Sequence, residues 1–249
     1  MLFDLHEYRA KELAGTSITH LQFCDGVILH MLDSDMLGEL KTFILKDLPF
    51  CVIGKHMQKE DEPSVEVDNV RGAEKAILHL AAAGTRRLGI ISDDRAQRFS
   101  QERMAGCKRA IAARSLINVQ TYTRRPDEEE FSAGVNAVRA WAASGKMPDG
   151  IFAMGDLIAM GALSALNECG IACPSGTAVV GFDDTPFAKY MSPPLTTVAQ
   201  PYAQMAEAAL DMLASLMANK PPAQRQVLVE PELRVRKSSL RNGREPVAG

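Results

Sequence analysis

Hydrophobic and polar positions follow two rhythms along this chain. Short, largely apolar or β-prone runs stand at 26–29, 50–53, 65–67, 88–91, 119–122, 151–153, 178–182 and 196–198. Runs of this length predict strands, and their continuous rather than every-second apolarity predicts strands covered on both faces. Between them, apolar residues recur every three or four positions near 5–21, 34–47, 69–83, 100–114, 129–144, 156–169 and 202–218, which predicts helices. Strand and helix alternate almost throughout, the pattern of an α/β protein built from parallel sheets wrapped by helices.

The stretch from Gly150 to Gln200 is the most informative. Gly150-Ile-Phe-Ala-Met154 reads as a strand and Asp156 as a helix N-cap; Leu157, Met160, Leu163 and Leu166 recur at helical spacing until Gly170 stops the helix. A second buried strand, Thr177 to Phe182, ends in the carboxylate pair Asp183-Asp184, and the carboxyl end of a parallel strand faces the ligand crevice of such sheets. Ser192-Pro-Pro-Leu-Thr-Thr-Val-Ala-Gln200 then continues as extended chain.

Composition narrows the function. A chain of 249 residues, 46% hydrophobic and 24% charged, is long enough for two modest lobes with separate cores. A net charge of −3 argues against nucleic-acid binding by this chain alone, since neutralising phosphates needs clustered Lys and Arg. No run approaches a membrane span and the first residues do not read as a signal peptide, so a cytoplasmic location is expected. The five cysteines are scattered. Cys24, Cys51 and Cys107 read as small buried hydrophobes, and Cys169 and Cys173 lack a second pair at ligand spacing. Glu60-Asp-Glu62 and Glu128-Glu-Glu130 read as solvated loops and helix starts. No dinucleotide fingerprint, phosphate loop, nucleophile elbow or metal-spaced His pair is found, so neither catalysis, a cofactor nor a metal is expected.

Gly155-Asp156-Leu-Ile-Ala-Met-Gly-Ala-Leu163, Val180-Gly-Phe-Asp-Asp-Thr185 and Pro193-Pro-Leu-Thr-Thr197, in that order and separation, resemble the effector-binding core of the LacI/GalR family of transcriptional regulators. Val67-Asp-Asn-Val-Arg-Gly-Ala73, the segment 79–87 and Arg103-Met-Ala-Gly106 extend the resemblance. It implies a two-lobed, type I periplasmic-binding-protein-like fold of two doubly wound parallel sheets. By analogy, one lobe holds 1–93 plus 201–224, the other 94–200 plus 225–238, and 239–249 is a disordered tail. A complete regulator of this family begins with a helix-turn-helix head, so the resemblance also implies that the head and the first strand of the first lobe are absent here. It implies a small-molecule effector, chiefly a sugar, a homodimer, and operator DNA only for a form carrying the head. A stand-alone solute-binding protein is the alternative.

Asp183 is the first ligand candidate, its two acceptor oxygens suiting paired hydroxyl donors. Arg103 is the second: Ser100 reads as the cap of its helix, and a cation in the first turn opposes the helix dipole, so another partner is expected for its donor fork. Phe131 offers a face on which a sugar ring could stack, or a staple for its helix. Gly155 stands where the family usually has Asn, which removes an amide donor and acceptor. Gln200 is a polar candidate at a hinge, and Asp68 either lines the cleft or caps the next helix. Met160, Leu163, Tyr190 and Met191 are candidates for a dimer face, with core packing as the alternative.

Overall fold

The computed structural model describes residues 24–30, 38, 40–41, 45, 48–54, 62–93, 97–114 and 118–241. Most of the segments expected to be helical at 5–21 and 34–47, and the residues 242–249, lie outside these. The chain forms two compact units, Met1–Val67 with Pro201–Val229, and Asp68–Gln200 with Glu230–Gly249.

The first unit contains strands β1 (Val27–His30), β2 (Phe50–Ile53), β3 (Ser64–Val67) and β9 (Gln226–Val229), in the order β1-β2-β3-β9 and all parallel. Helix α5 (Tyr202–Met217) lays Met205, Ala209 and Met212 against Cys51, Val65 and Val67. Among the described residues β1 has β2 as its one strand partner.

The second unit contains the sheet β10-β8-β7-β6-β4-β5, built from β4 (Arg87–Ser92), β5 (Asn118–Thr123), β6 (Gly150–Ala153), β7 (Ala178–Asp183), β8 (Thr196–Ala199) and β10 (Glu232–Arg234). Only β10 runs antiparallel to its neighbour. Side chains alternate across this sheet, so each face has its own core. Leu88, Ile90, Phe152, Val180 and Phe182 pack against Ala73, Ile77 and Leu80 of α1 (Asn69–Ala82) and Cys107 and Ala110 of α2 (Arg98–Arg114). Ile91, Ile151 and Val179 pack on the opposite face against Val138 and Trp141 of α3 (Glu130–Ala143) and Ile158, Ala162 and Leu166 of α4 (Asp156–Glu168). The sequence pattern anticipates this doubly wound arrangement.

The unit boundary differs from the one expected. Residues 68–93 belong to the second unit rather than the first, because the apolar stripe of α1 completes the core beneath β4, β6 and β7. The final strand region is split instead of belonging wholly to the second unit: Gln226–Val229 extends the first sheet beside β3, and Glu232–Arg234 extends the second beside β8. The chain therefore passes between units after Val67, Gln200 and Val229. Ser239, expected to begin a loose tail, is fully buried and shares hydrogen bonds of 2.7 Å with His79 and Thr196. Its neighbour Ser238 donates to Val179 O at 2.6 Å and accepts from Thr196 N at 2.7 Å, clamping β7 to β8.

Candidate functional site

In the second sheet the chain runs from β4 outward to β5, then returns to the other side of β4 with β6. Loops leaving adjacent strands in opposite directions open a crevice at their carboxyl ends, and open α/β sheets bind ligands there. Each parallel strand of this unit ends in a polar group at that edge: Arg124 after β5, Asp93 after β4, Met154 O and Gly155 after β6, Asp183 at the end of β7, and Gln200 after β8.

Arg103 organises the center of this edge. It is only 5% exposed. Its Nε donates to Asn69 Oδ1 at 2.9 Å, one terminal nitrogen donates to Met154 O at 2.6 Å, and the other reaches Asp183 Oδ1 at 3.4 Å. The guanidinium lies 3.5 Å from the center of the Phe182 ring and 5.0 Å from that of Phe99, so stacking fixes its plane. Gln200 Nε2 donates to the same Asp183 oxygen at 2.7 Å. Burial pushes the Asp183 carboxyl above the ordinary carboxylate range, while Arg103 and Gln200 pull it back down.

Around this pair, Arg124 Nε is paired with Asp93 Oδ1, and Ser100 Oγ donates to Asp93 O at 3.1 Å. Asp156 is 1% exposed and accepts from Thr197 Oγ1 at 2.5 Å, and from Thr185 N at 2.7 Å and Thr185 Oγ1 at 2.8 Å. Burial pushes its carboxyl up to about 6, outweighing these three donors.

The structure thus brings together Asp183, Arg103, Gln200 and Gly155 of the expected site residues. Phe131 is half-buried in the first turn of α3. Asp68 takes the second of its two expected roles: it N-caps α1, accepting from Arg71 N at 2.9 Å. Three local readings are corrected. Helix α2 begins at Arg98, so Ser100 is not its cap and Arg103 lies in the second turn. Helix α4 is capped by Gly155, which frees Asp156 for its buried role. The acidic run 128–130 starts a helix, as expected, but is not simply solvated. Glu128 is buried, accepting from Tyr122 at 2.9 Å and Asn136 at 2.7 Å, and Glu130 is half-buried at the strand-end edge. Asp184 joins Arg236 in a 2.6 Å ion pair.

Sequence alone does not single out Glu130, Asp93 or Arg124. The available signal was their position immediately after a strand or at a helix start. Of the expected dimer-face residues, Leu163 is a core residue at 7% exposure and Met191 packs beside the same core, whereas Tyr190 is 77% exposed. Among the described residues, Leu157 and Phe187 are the other large exposed apolar side chains of this unit.

Among the described residues no group of His, Cys, Asp and Glu is placed to hold a metal ion, and no helix is long and apolar enough to cross a membrane. Cys51 and Cys107 are buried as expected, Cys24 partly so, and burial pushes the Cys107 thiol up to about 12.

Two units built on mostly parallel sheets, one carrying an arginine–carboxylate edge at its switch point, define a ligand-binding α/β core. Residues 77–239 match the periplasmic binding protein-like domain. The ribose operon repressor of Haemophilus influenzae is 27% identical over 214 residues, 86% of this chain and 64% of that protein. The HTH-type transcriptional repressor PurR of Salmonella paratyphi B is 30% identical over 231 residues, 92% of this chain and 67% of that protein. A solved transcriptional regulator CelR–cellobiose complex superposes with a TM-score of 0.76 at 26% identity, covering 92% of this chain and 69% of that one. The chain belongs to the periplasmic binding protein-like family, among the effector-binding cores of LacI/GalR-type regulators. It spans about two thirds of the length of the curated relatives, which are transcriptional repressors rather than enzymes.

Proposed function

We propose that this chain is the effector-sensing and dimerising core of a LacI/GalR-type transcriptional repressor, with a small hydroxylated molecule as effector. One observation carries the reading: Arg103, Asp183 and Gln200 are held together by hydrogen bonds at the switch-point edge. A carboxylate there accepts from ligand hydroxyls and a guanidinium fork donates to them, the pairing that polyols and sugars satisfy. The cellobiose complex of the related regulator, and the ribose operon served by another relative, support a sugar. In a regulator of this kind a helix-turn-helix reads operator DNA, so the role assigned to these residues is sensing, in a cytoplasmic setting.

The ligand edge is also wired to the points where the chain changes unit. Gln200, the last residue before one crossing, bonds Asp183; Asn69, next to another, bonds Arg103. A ligand that favours one arrangement of these bonds shifts the equilibrium by its differential affinity, which is the requirement for an effector.

A thermal-shift screen of sugars, sugar phosphates and nucleobases, followed by titration calorimetry, tests the reading. The ligand that raises the melting temperature should lose at least about tenfold in affinity with Asp183→Ala, the loss expected from a charge-assisted hydrogen bond. Near-wild-type affinity would remove Asp183 from the site and the sensing role with it.

A further inference from the structure

Among the described residues, the groups at the strand-end edge do not balance in charge. Arg103 is matched by Asp183, and Arg124 by Asp93. Asp156 is held by neutral hydroxyl and amide donors, so it adds negative charge whenever it ionises. Glu130 is left over. Among the described residues no hydrogen bond or ion pair engages its carboxylate; its charged neighbours Asp93, Arg124, Asp183 and Arg103 act at longer range.

Beside it, the missing side chain of Gly155 leaves a small space with neighbours at ordinary van der Waals distance. A Cβ placed on Gly155 would meet nothing nearer than Glu130 Oε2 and Ile158 Cδ1, both at 3.8 Å, and Asp183 Oδ2 at 3.9 Å. That Asp183 oxygen is the one that takes neither Arg103 nor Gln200. Two carboxylate oxygens from different elements therefore border one gap, where the side chain of any other residue at 155 would stand. Among the described residues, none places a cationic donor in this gap.

We propose that Glu130 is a specificity-determining residue, making the site prefer a hydroxylated ligand carrying a protonated amine over its neutral counterpart and reject the phosphorylated one. The inference rests on the sensing role proposed above and names the ligand class within it. An ammonium group supplies three donors and the missing positive charge, whereas a hydroxyl supplies one donor and no charge. A phosphate brings further negative charge to an edge that already carries an excess of it. Burial, with Asp93 and Asp183 nearby, pushes the Glu130 carboxyl up, the direction expected of a carboxylate awaiting a cation.

The test is titration calorimetry on the full chain with three matched sets: glucose, glucosamine and glucose 6-phosphate, and the corresponding galactose and mannose sets. In at least one set the amine should bind about tenfold tighter than the neutral sugar, as a charged hydrogen bond exceeds a neutral one, and the phosphate should not bind detectably. Glu130→Gln should bring amine and neutral sugar to within about threefold, while Glu129→Gln, an exposed neighbour, should preserve the preference. The inference is overturned if the phosphate binds as well as its parent sugar, if Glu130→Gln leaves the ranking intact, or if no amine of the three sets binds. A neutral sugar whose binding is abolished by Asp183→Ala yet ignores Glu130→Gln would leave the sensing site standing and remove only its charge preference. Binding indifferent to Asp183→Ala would remove the site itself.

Discussion

Asp183 holds a backbone φ of 113°, and Asp184 follows at 52°. Such angles are strained for any residue with a Cβ, by on the order of 1–3 kcal/mol each, and strain of this kind collects where chemistry requires it. Asp183→Gly and Asp183→Ala should therefore both lose ligand, but the glycine variant should melt higher; equal melting temperatures would show that no strain is held there. Arg103 is expected to matter twice. Removing it leaves Asp183 without its cation and Met154 O without its donor, so Arg103→Ala should cost on the order of 3 kcal/mol in denaturant unfolding as well as affinity. The cost follows because the partners of Arg103 come from three distant segments. Asp156 predicts a pH dependence. Its folded carboxyl titrates at about 6 against an ordinary 3.8, so the folded state holds the proton longer than the unfolded one. The associated stability is fully present below about pH 4 and is lost as pH rises through about 6, amounting to on the order of 3 kcal/mol. Urea unfolding at a series of pH values should show this decline, flattened in Asp156→Asn; an unchanged slope would reassign the proton. At this scale the sequence displays Asp183 because it terminates an apolar run, and Arg103 because of the family motif. Glu130 stays hidden within an acidic run, since nothing local distinguishes a half-buried carboxylate from a solvated one.

Helices α3 and α4 cross closely through Gly134 and Gly161. A Cβ on Gly134 would lie 2.0 Å from Ile158 O, and one on Gly161 2.0 Å from Phe131 O, both backbone atoms that have little freedom to yield. Close approach matters here because the same crossing carries Glu130 at the start of α3 and Asp156 at the start of α4. Gly134→Ala, favourable by helix propensity, should destabilise by about 2 kcal/mol or more through overpacking. Ala140→Gly on the exposed face of α3 should cost only about 1 kcal/mol by propensity. Thermal unfolding of the two variants decides, and a stabilised Gly134→Ala would show that the helices can separate freely. Apolar periodicity located α1, α3, α4 and α5 to within a residue or two, because each buries one stripe on a sheet. It placed the start of α2 two residues late, at Ser100, because Arg98 and Phe99 precede the first residue with a capping side chain.

The two sheets differ in how deeply their strands are enclosed. β6 and β7 lie in the interior of a six-stranded sheet with helices on both faces, whereas β9 ends the described part of the other and leaves Leu228 exposed. Hydrogen exchange should be slowest for amides of Gly150–Ala153 and Ala178–Asp183 and faster for Gln226–Val229; comparable protection would mean that β9 is covered. The two-unit plan was legible from alternation and length, but the boundary was not. An apolar stripe such as that of α1 shows that a helix is buried without showing against which sheet, and Gln226–Val229 is too short and too exposed to declare its partner. The same wiring has a consequence for redesign. The recognition groups come from five strand ends and from helices α2 and α3, so most should be open to separate exchange to suit a new ligand. Gln200 and Asn69 are different, because they belong at once to the recognition edge and to the joints of the chain. Altering Glu130 or Gly155 should retune what is recognised while preserving the response, whereas altering Gln200 should blunt the response even to a ligand that still binds. Selectivity and signalling should therefore prove separable in this core everywhere except at its joints.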